Sequence, residues 1–215
     1  MLSDIKKIKT WQLFLFIVFV EMVIYYFTNN YVMTKAFYEK LLGDRLTIEM
    51  INTQFELSKR FSALGYLFIP LVTLIKITFF TLLIQFPLLL KFIEIPFKRL
   101  FRICAFSILP FLLLQILSTW RAATIPIENI SEKNLLTVPL SINSFLNPQY
   151  YNKAVYQFLG FFHIFWIFWG ATIYIGLTKT KKIEKIDSLL FTSIVFFVLV
   201  LFNFGLTTYF TKVFG

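Results

Sequence analysis

Apolar residues along this chain gather into long runs separated by short polar or basic segments. The first run covers residues 11–28 and closes on Tyr25, Tyr26 and Phe27 before Thr28, Asn29 and Asn30. Further runs occupy 61–90, 103–120, 155–177 and 188–209. A helix needs about 20 mostly apolar residues to cross the ~30 Å hydrocarbon layer of a bilayer, and each run reaches or approaches that length. The pattern predicts an all-α fold: one polytopic membrane domain over residues 1–215, built as a bundle of about five transmembrane helices.

Between the first two runs the chain is polar but periodic. Phe37, Leu41, Leu42, Leu46, Ile48, Ile51 and Phe55 recur every three to four residues, with Lys40, Asp44, Arg45, Glu49 and Glu56 between them. This spacing predicts an amphipathic helical segment lying at the membrane surface or packed over the bundle; an ordinary helical loop fits it equally. Pro70 and Pro87 in the second run and Pro110 in the third are expected to kink or break their helices. The connection from Arg121 to Lys153 contains Pro126, Pro139 and Pro148 and shows no helical period.

Composition strengthens the membrane assignment. The chain is 58% hydrophobic, 20% aromatic and 15% charged, with a mean hydropathy of +0.75, whereas soluble domains carry about 25% charged residues. A soluble, Phe-rich bundle is the competing explanation, and the repeated runs of spanning length speak against it. The bias towards Phe, Ile, Lys and Asn suggests an AT-rich, bacterial source, and so a multi-pass protein of the bacterial inner membrane. The start, with Lys6, Lys7 and Lys9 ahead of an apolar run, has the outline of a signal peptide but lacks a small-residue cleavage pattern; an uncleaved first helix is expected.

The net charge of +10 would suggest nucleic-acid binding in a soluble protein. Here the cations lie mainly in the short segments between runs, as topology signals and anionic headgroups require, so the bilayer and no nucleic acid is the expected partner. Lys6, Lys7, Lys9, Lys91, Lys98, Arg99, Arg102, Lys179, Lys181, Lys182 and Lys185 fall on one side of a five-span topology in short loops. The other side carries its cations in longer loops, diluted by Glu39, Asp44, Glu49, Glu56, Glu128 and Glu132. A cytoplasmic N-terminus and a periplasmic or extracellular C-terminus follow.

Charges inside a spanning helix are costly and face the protein interior or a wet cavity. Glu21 in the first run and Lys76 in the second fall near mid-depth, and antiparallel neighbouring helices would let them pair. Such a pair is either a relay for protons or ions or an element that fixes helix packing, and the scarcity of other titratable groups favours packing. His163, the sole histidine, is a secondary candidate, more simply a hydrogen-bonded packing residue than a ligand. Gln85 and Asn203 are further candidates to bridge helices. A lone Cys104 allows no intrachain disulfide, and the chain offers no convincing metal-ligand set, no catalytic triad and no nucleotide loop. Neither an enzymatic activity nor a cofactor is expected.

The stretch Pro96-Phe97-Lys98-Arg99-Leu100-Phe101, followed by the helix Ile103 to Leu112 with Leu109-Pro110, resembles the Yip-domain family, the Ypt/Rab-interacting membrane proteins and their bacterial relatives. Ser141 to Leu146, Leu159 to Trp169 and Ile173 to Leu177 are similar to that family's polar connection and aromatic fourth helix. The resemblance covers roughly residues 61–205. It implies five spans with a cytoplasmic N-terminus. Ala105-Phe106 replaces the family's Gly-Tyr, and only a short segment precedes the first helix, so a Rab-type partner is not implied.

Three functions fit: a non-enzymatic scaffold or accessory subunit of a membrane complex, with a protein partner or a second copy of the chain; a membrane subunit of a transporter or export system; or an immunity protein that blocks a toxin or pore. The topology is checked by single cysteines at Lys181 and Lys133 in a Cys104→Ser background. An impermeant maleimide should label them from opposite faces of the membrane. Labelling of both from one face would contradict the crossing between them.

Overall fold

The computed structural model describes residues 9–214, so the basic start at Lys6 and Lys7 lies outside the described residues. Helix α1 (Thr10–Phe27) runs on through a π-helical turn (Thr28–Val32), and α2 (Lys35–Leu42) follows. Next come α3 (Ile48–Leu90) and α4 (Phe97–Thr124). A connection with the one-turn α5 (Glu132–Leu135) and short 3-10 turns leads to α6 (Lys153–Phe161), α7 (Phe165–Thr178) and α8 (Lys185–Phe214). There is no β-strand among the described residues. Over the described residues the fold is all-helical, and four helices there are long and apolar enough to cross a membrane: α1 with its π-turn, α3, α4 and α8; α7 is apolar but shorter.

The structure departs from the sequence pattern in three places. The second run is only the later part of α3, whose 43 residues rise ~65 Å, about twice a hydrocarbon layer. Its first turns stand outside the bundle against α2, where the Tyr38 hydroxyl donates to Ser58 Oγ at 2.9 Å and the Tyr38 and Phe55 rings meet at 5.8 Å. Pro70, Pro87 and Pro110 all lie within continuous helices; neighbouring helices and local readjustment make this tolerable in a membrane bundle. The run at 155–177, by contrast, is two helices interrupted around Phe162–Ile164.

Helix directions follow from the contacts. Glu21 meets Lys76 and Tyr25 meets Tyr66, so α1 and α3 are antiparallel. Thr28 Oγ1 lies 3.2 Å from Thr119 Oγ1, making α1 and α4 parallel. Phe111 meets Trp166 while Gly176 abuts Ile103, so α7 runs against α4. Phe158 packs on Phe204 and Phe161 on Phe196, which carries α6 along the later part of α8. Helices α1, α4 and α8 therefore run one way and α3 and α7 the other.

Helix α4 sits centrally, touching α1, α3 and α7. Its fully buried face is made of Leu100, Cys104, Ala105, Ser107 and Ile108. Small residues there let helices approach closely, the usual device where lipid removes any hydrophobic gain from association. Trp169, Ile173 and Leu177 of α7 are buried against this core cluster. Apolar residues also cover the outside: Leu67 is 73% exposed and Phe19 65%. Helices apolar all round suit a lipid surround.

At the end opposite the chain's start a smaller core forms from Val32, Phe37 and Ile130, joining the π-turn, α2 and the α4–α6 connection. The other end is basic. There Lys91 pairs with Asp187 at 2.5 Å, Arg99 donates to the Lys179 carbonyl at 3.0 Å, and Lys182 donates to the Glu94 carbonyl at 2.7 Å. These bonds tie the α3–α4 and α7–α8 turns together.

At Gly176 α7 lies close against α4: a Cβ there would lie 2.4 Å from Ile103 Cγ2. Gly176→Val should lower stability by about 1–3 kcal/mol through overpacking, read as a lower thermal midpoint in detergent. Adding Ile103→Ala should recover part of the loss; an unchanged midpoint in Gly176→Val would contradict this packing.

Candidate functional site

Thr73 and Lys76 are three residues apart on α3, so both project from one helix face, and Glu21 of α1 receives them. Lys76 Nζ donates to Glu21 Oε1 at 2.9 Å, and the Thr73 hydroxyl donates to Oε2. Thr73 Oγ1 is also 2.8 Å from the Ile69 carbonyl oxygen, and the residue is wholly buried. The Glu21 side chain is 10% exposed and that of Lys76 34%. Both carboxylate oxygens are thus engaged, while the ammonium keeps donors facing outward.

Beside the pair lies a groove of about 300 Å³ between α1, α3 and α4, reached by Tyr25, Thr28, Phe68 and Gln115. Gly65 shapes it, since a Cβ there would fall 2.1 Å from the Tyr25 hydroxyl. The Tyr25 and Tyr66 rings meet edge to face at 4.9 Å above it. What the cluster can do chemically is hold α1 to α3. It presents a dipole of neighbouring opposite charges to the groove, with no thiol, imidazole or second carboxylate among the lining residues.

His163 lies elsewhere, in the break between α6 and α7. Its backbone forms an isolated antiparallel bridge with Ser141, through Ile142 N–H to Phe162 O at 3.0 Å and Ile164 N–H to Leu140 O at 3.1 Å. Its ring stacks on Trp166 at 5.8 Å and meets Phe111 edge-on. Nδ1 is buried without a hydrogen-bond partner among the described residues, and so is Asn203 Oδ1. The structure brings Glu21 and Lys76 together and leaves His163 apart from them, among aromatic rings that do not line the groove.

A second polar centre sits in the connection before α6, and sequence reasoning passed over it. Asn143 is fully buried and uses both its donor and both its acceptor positions. Its amide donates to the carbonyls of Leu136 and Tyr156, each at 3.1 Å. Its Oδ1 accepts from Val138 N–H at 3.1 Å and from the Ser141 hydroxyl at 2.5 Å. The Tyr156 hydroxyl closes the knot by donating to Asn143 O at 3.0 Å. Gly160 makes room for it: a Cβ there would fall 2.6 Å from Asn143 Nδ2. The visible signal was an Asn set among Val138, Leu140, Ile142 and Phe145, with a glycine at the head of the aromatic run.

Among the described residues no group of His, Cys, Asp and Glu is arranged to hold a metal ion. Compared with family descriptions, curated proteins and solved structures, the chain matches none.

Asn143→Leu keeps the branched shape but strands the Leu136 and Tyr156 carbonyls and the Val138 N–H. It should cost about 3 kcal/mol and speed amide exchange in α6, followed by mass spectrometry in detergent. Thr73→Val removes one donor from a carboxylate that keeps its Lys76 bond and should cost about 2 kcal/mol. Equal, small effects in both would contradict the knot.

Proposed function

We propose that this chain is a non-enzymatic, multi-pass protein of a bacterial inner membrane that serves as a helical scaffold or accessory subunit of a membrane complex, with an architecture of the Yip-domain type. The observation that carries the proposal is the Glu21–Thr73–Lys76 cross-link. The intramembrane charges spend their strongest bonds on each other, which fixes α1 against α3 rather than offering a chain of exchangeable protons. The basic end, where α1, α4 and α8 begin, faces the cytoplasm under the positive-inside rule.

A second reading, a membrane subunit of a transport system, draws on the interruption between α6 and α7. Discontinuous helices line substrate sites in many transporters. In this chain the break is filled by the loop around Asn143, with His163 packed among rings, which favours the scaffold.

Charge reversal tests the scaffold reading. Glu21→Lys and Lys76→Glu alone should each cost about 3–5 kcal/mol, because each leaves like charges facing one another in a dry site. The double reversal should restore most of the lost thermal stability and yield. Failure of the double to rescue would sink the structural role. Replacing the pair by Glu21→Gln with Lys76→Met should leave folding and co-purifying partners in place; loss of solute flux with the assembly intact would assign the pair to transport.

A further inference from the structure

We infer that the basic end of the bundle is a binding site for the phosphate of an anionic phospholipid. The turn between α3 and α4 and the turn between α7 and α8 are bound into one surface by the Arg99–Lys179 and Lys182–Glu94 contacts and the Lys91–Asp187 pair. On this surface Lys98, Arg99, Lys179, Lys181, Lys182 and Lys185 are all exposed, and among the described residues Glu94, Glu184 and Asp187 oppose them, the last already paired with Lys91.

Lys179, Lys181 and Lys182 follow the end of α7, where the helix dipole favours cations; Lys98 and Arg99 stand at the opposite kind of helix end. The first turn of α4 carries Lys98 and Arg99 with no acid, against the sign that a helix start prefers. An external negative charge is what such an arrangement accommodates. The apolar neighbours identify it. Leu90, Phe92 and Ile186 are 67%, 94% and 74% exposed beside Lys91 and Lys185, and Phe92 is held outward by a left-handed backbone, φ 56°. Cations bordered by protruding apolar side chains at the ends of spanning helices match the boundary between headgroup and acyl chain. A phospholipid meets both halves of this surface at once, its phosphate the cations and its acyl chains the apolar fringe.

The test is native mass spectrometry of the full chain in a neutral detergent, with dioleoylphosphatidylglycerol and dioleoylphosphatidylcholine competing at equal concentration. The anionic phosphatidylglycerol should bind preferentially. Lys98→Gln with Lys181→Gln, which leaves the Arg99, Lys182 and Lys91 ties intact, should reduce that preference at least about tenfold, since each cation near a headgroup contributes roughly a fivefold factor. Lys35→Gln with Lys40→Gln, at the opposite end, should leave it unchanged. Equal binding of the two lipids, a preference surviving in Lys98→Gln/Lys181→Gln, or an equal loss in the control variant would each overturn the proposal. Displacement of the lipid by polyglutamate at the same concentration would assign the surface to an acidic protein and overturn it as well.

Discussion

Inside a bilayer no water is present to satisfy a polar group, so every charge and every backbone amide must find its partner in the protein. The Glu21–Lys76 contact follows from that constraint. A carboxylate or an ammonium alone at mid-depth would cost several kcal/mol. Together, with Thr73 supplying a further donor, they become a cross-link that holds two antiparallel helices in one register. The same requirement explains why Thr81 and Thr192 turn their hydroxyls back to carbonyls one turn earlier, each at 2.7 Å. It also explains why Asn143 has every hydrogen-bonding position filled.

Around that cross-link, packing is by shape. Lipid is as apolar as the helix faces, so association depends on close contact, and α4 provides it through Cys104, Ala105 and Ser107 and through the Gly176–Ile103 approach. The two ends then differ in kind. One is a small apolar cap of α2, the first turns of α3 and the α4–α6 connection. The other is a basic surface tied together by side-chain bonds to backbone carbonyls. The bundle thus closes one end over a small apolar core and the other with a cationic plate.

Much of the helical content was legible in the runs of apolar residues, because a spanning helix must be apolar over its whole lipid-facing length. Glu21 and Lys76 stood out because they interrupt such runs. Less legible was whatever depends on contacts between distant segments. The split of the run at 155–177 has no proline or polar cluster to announce it; it is imposed by the loop whose Leu140 and Ile142 pair with Phe162 and Ile164. Thr73 and Gln115 looked like ordinary residues of apolar helices until the fold placed them at the pair and its groove. The prolines misled in the other direction, since a breaker in water is tolerated where packed neighbours hold the helix.

The most direct measurement is the distance between Lys76 Nζ and Glu21 Cδ in bilayers, by rotational-echo double-resonance solid-state NMR on protein carrying ¹⁵Nζ-lysine and ¹³Cδ-glutamate. Direct contact, in keeping with the 2.9 Å separation of Nζ and Oε1, predicts strong dephasing that falls in Lys76→Met to the part contributed by the Lys35–Glu39 pair. Dephasing identical in the two proteins would contradict the cross-link on which this account of the bundle depends.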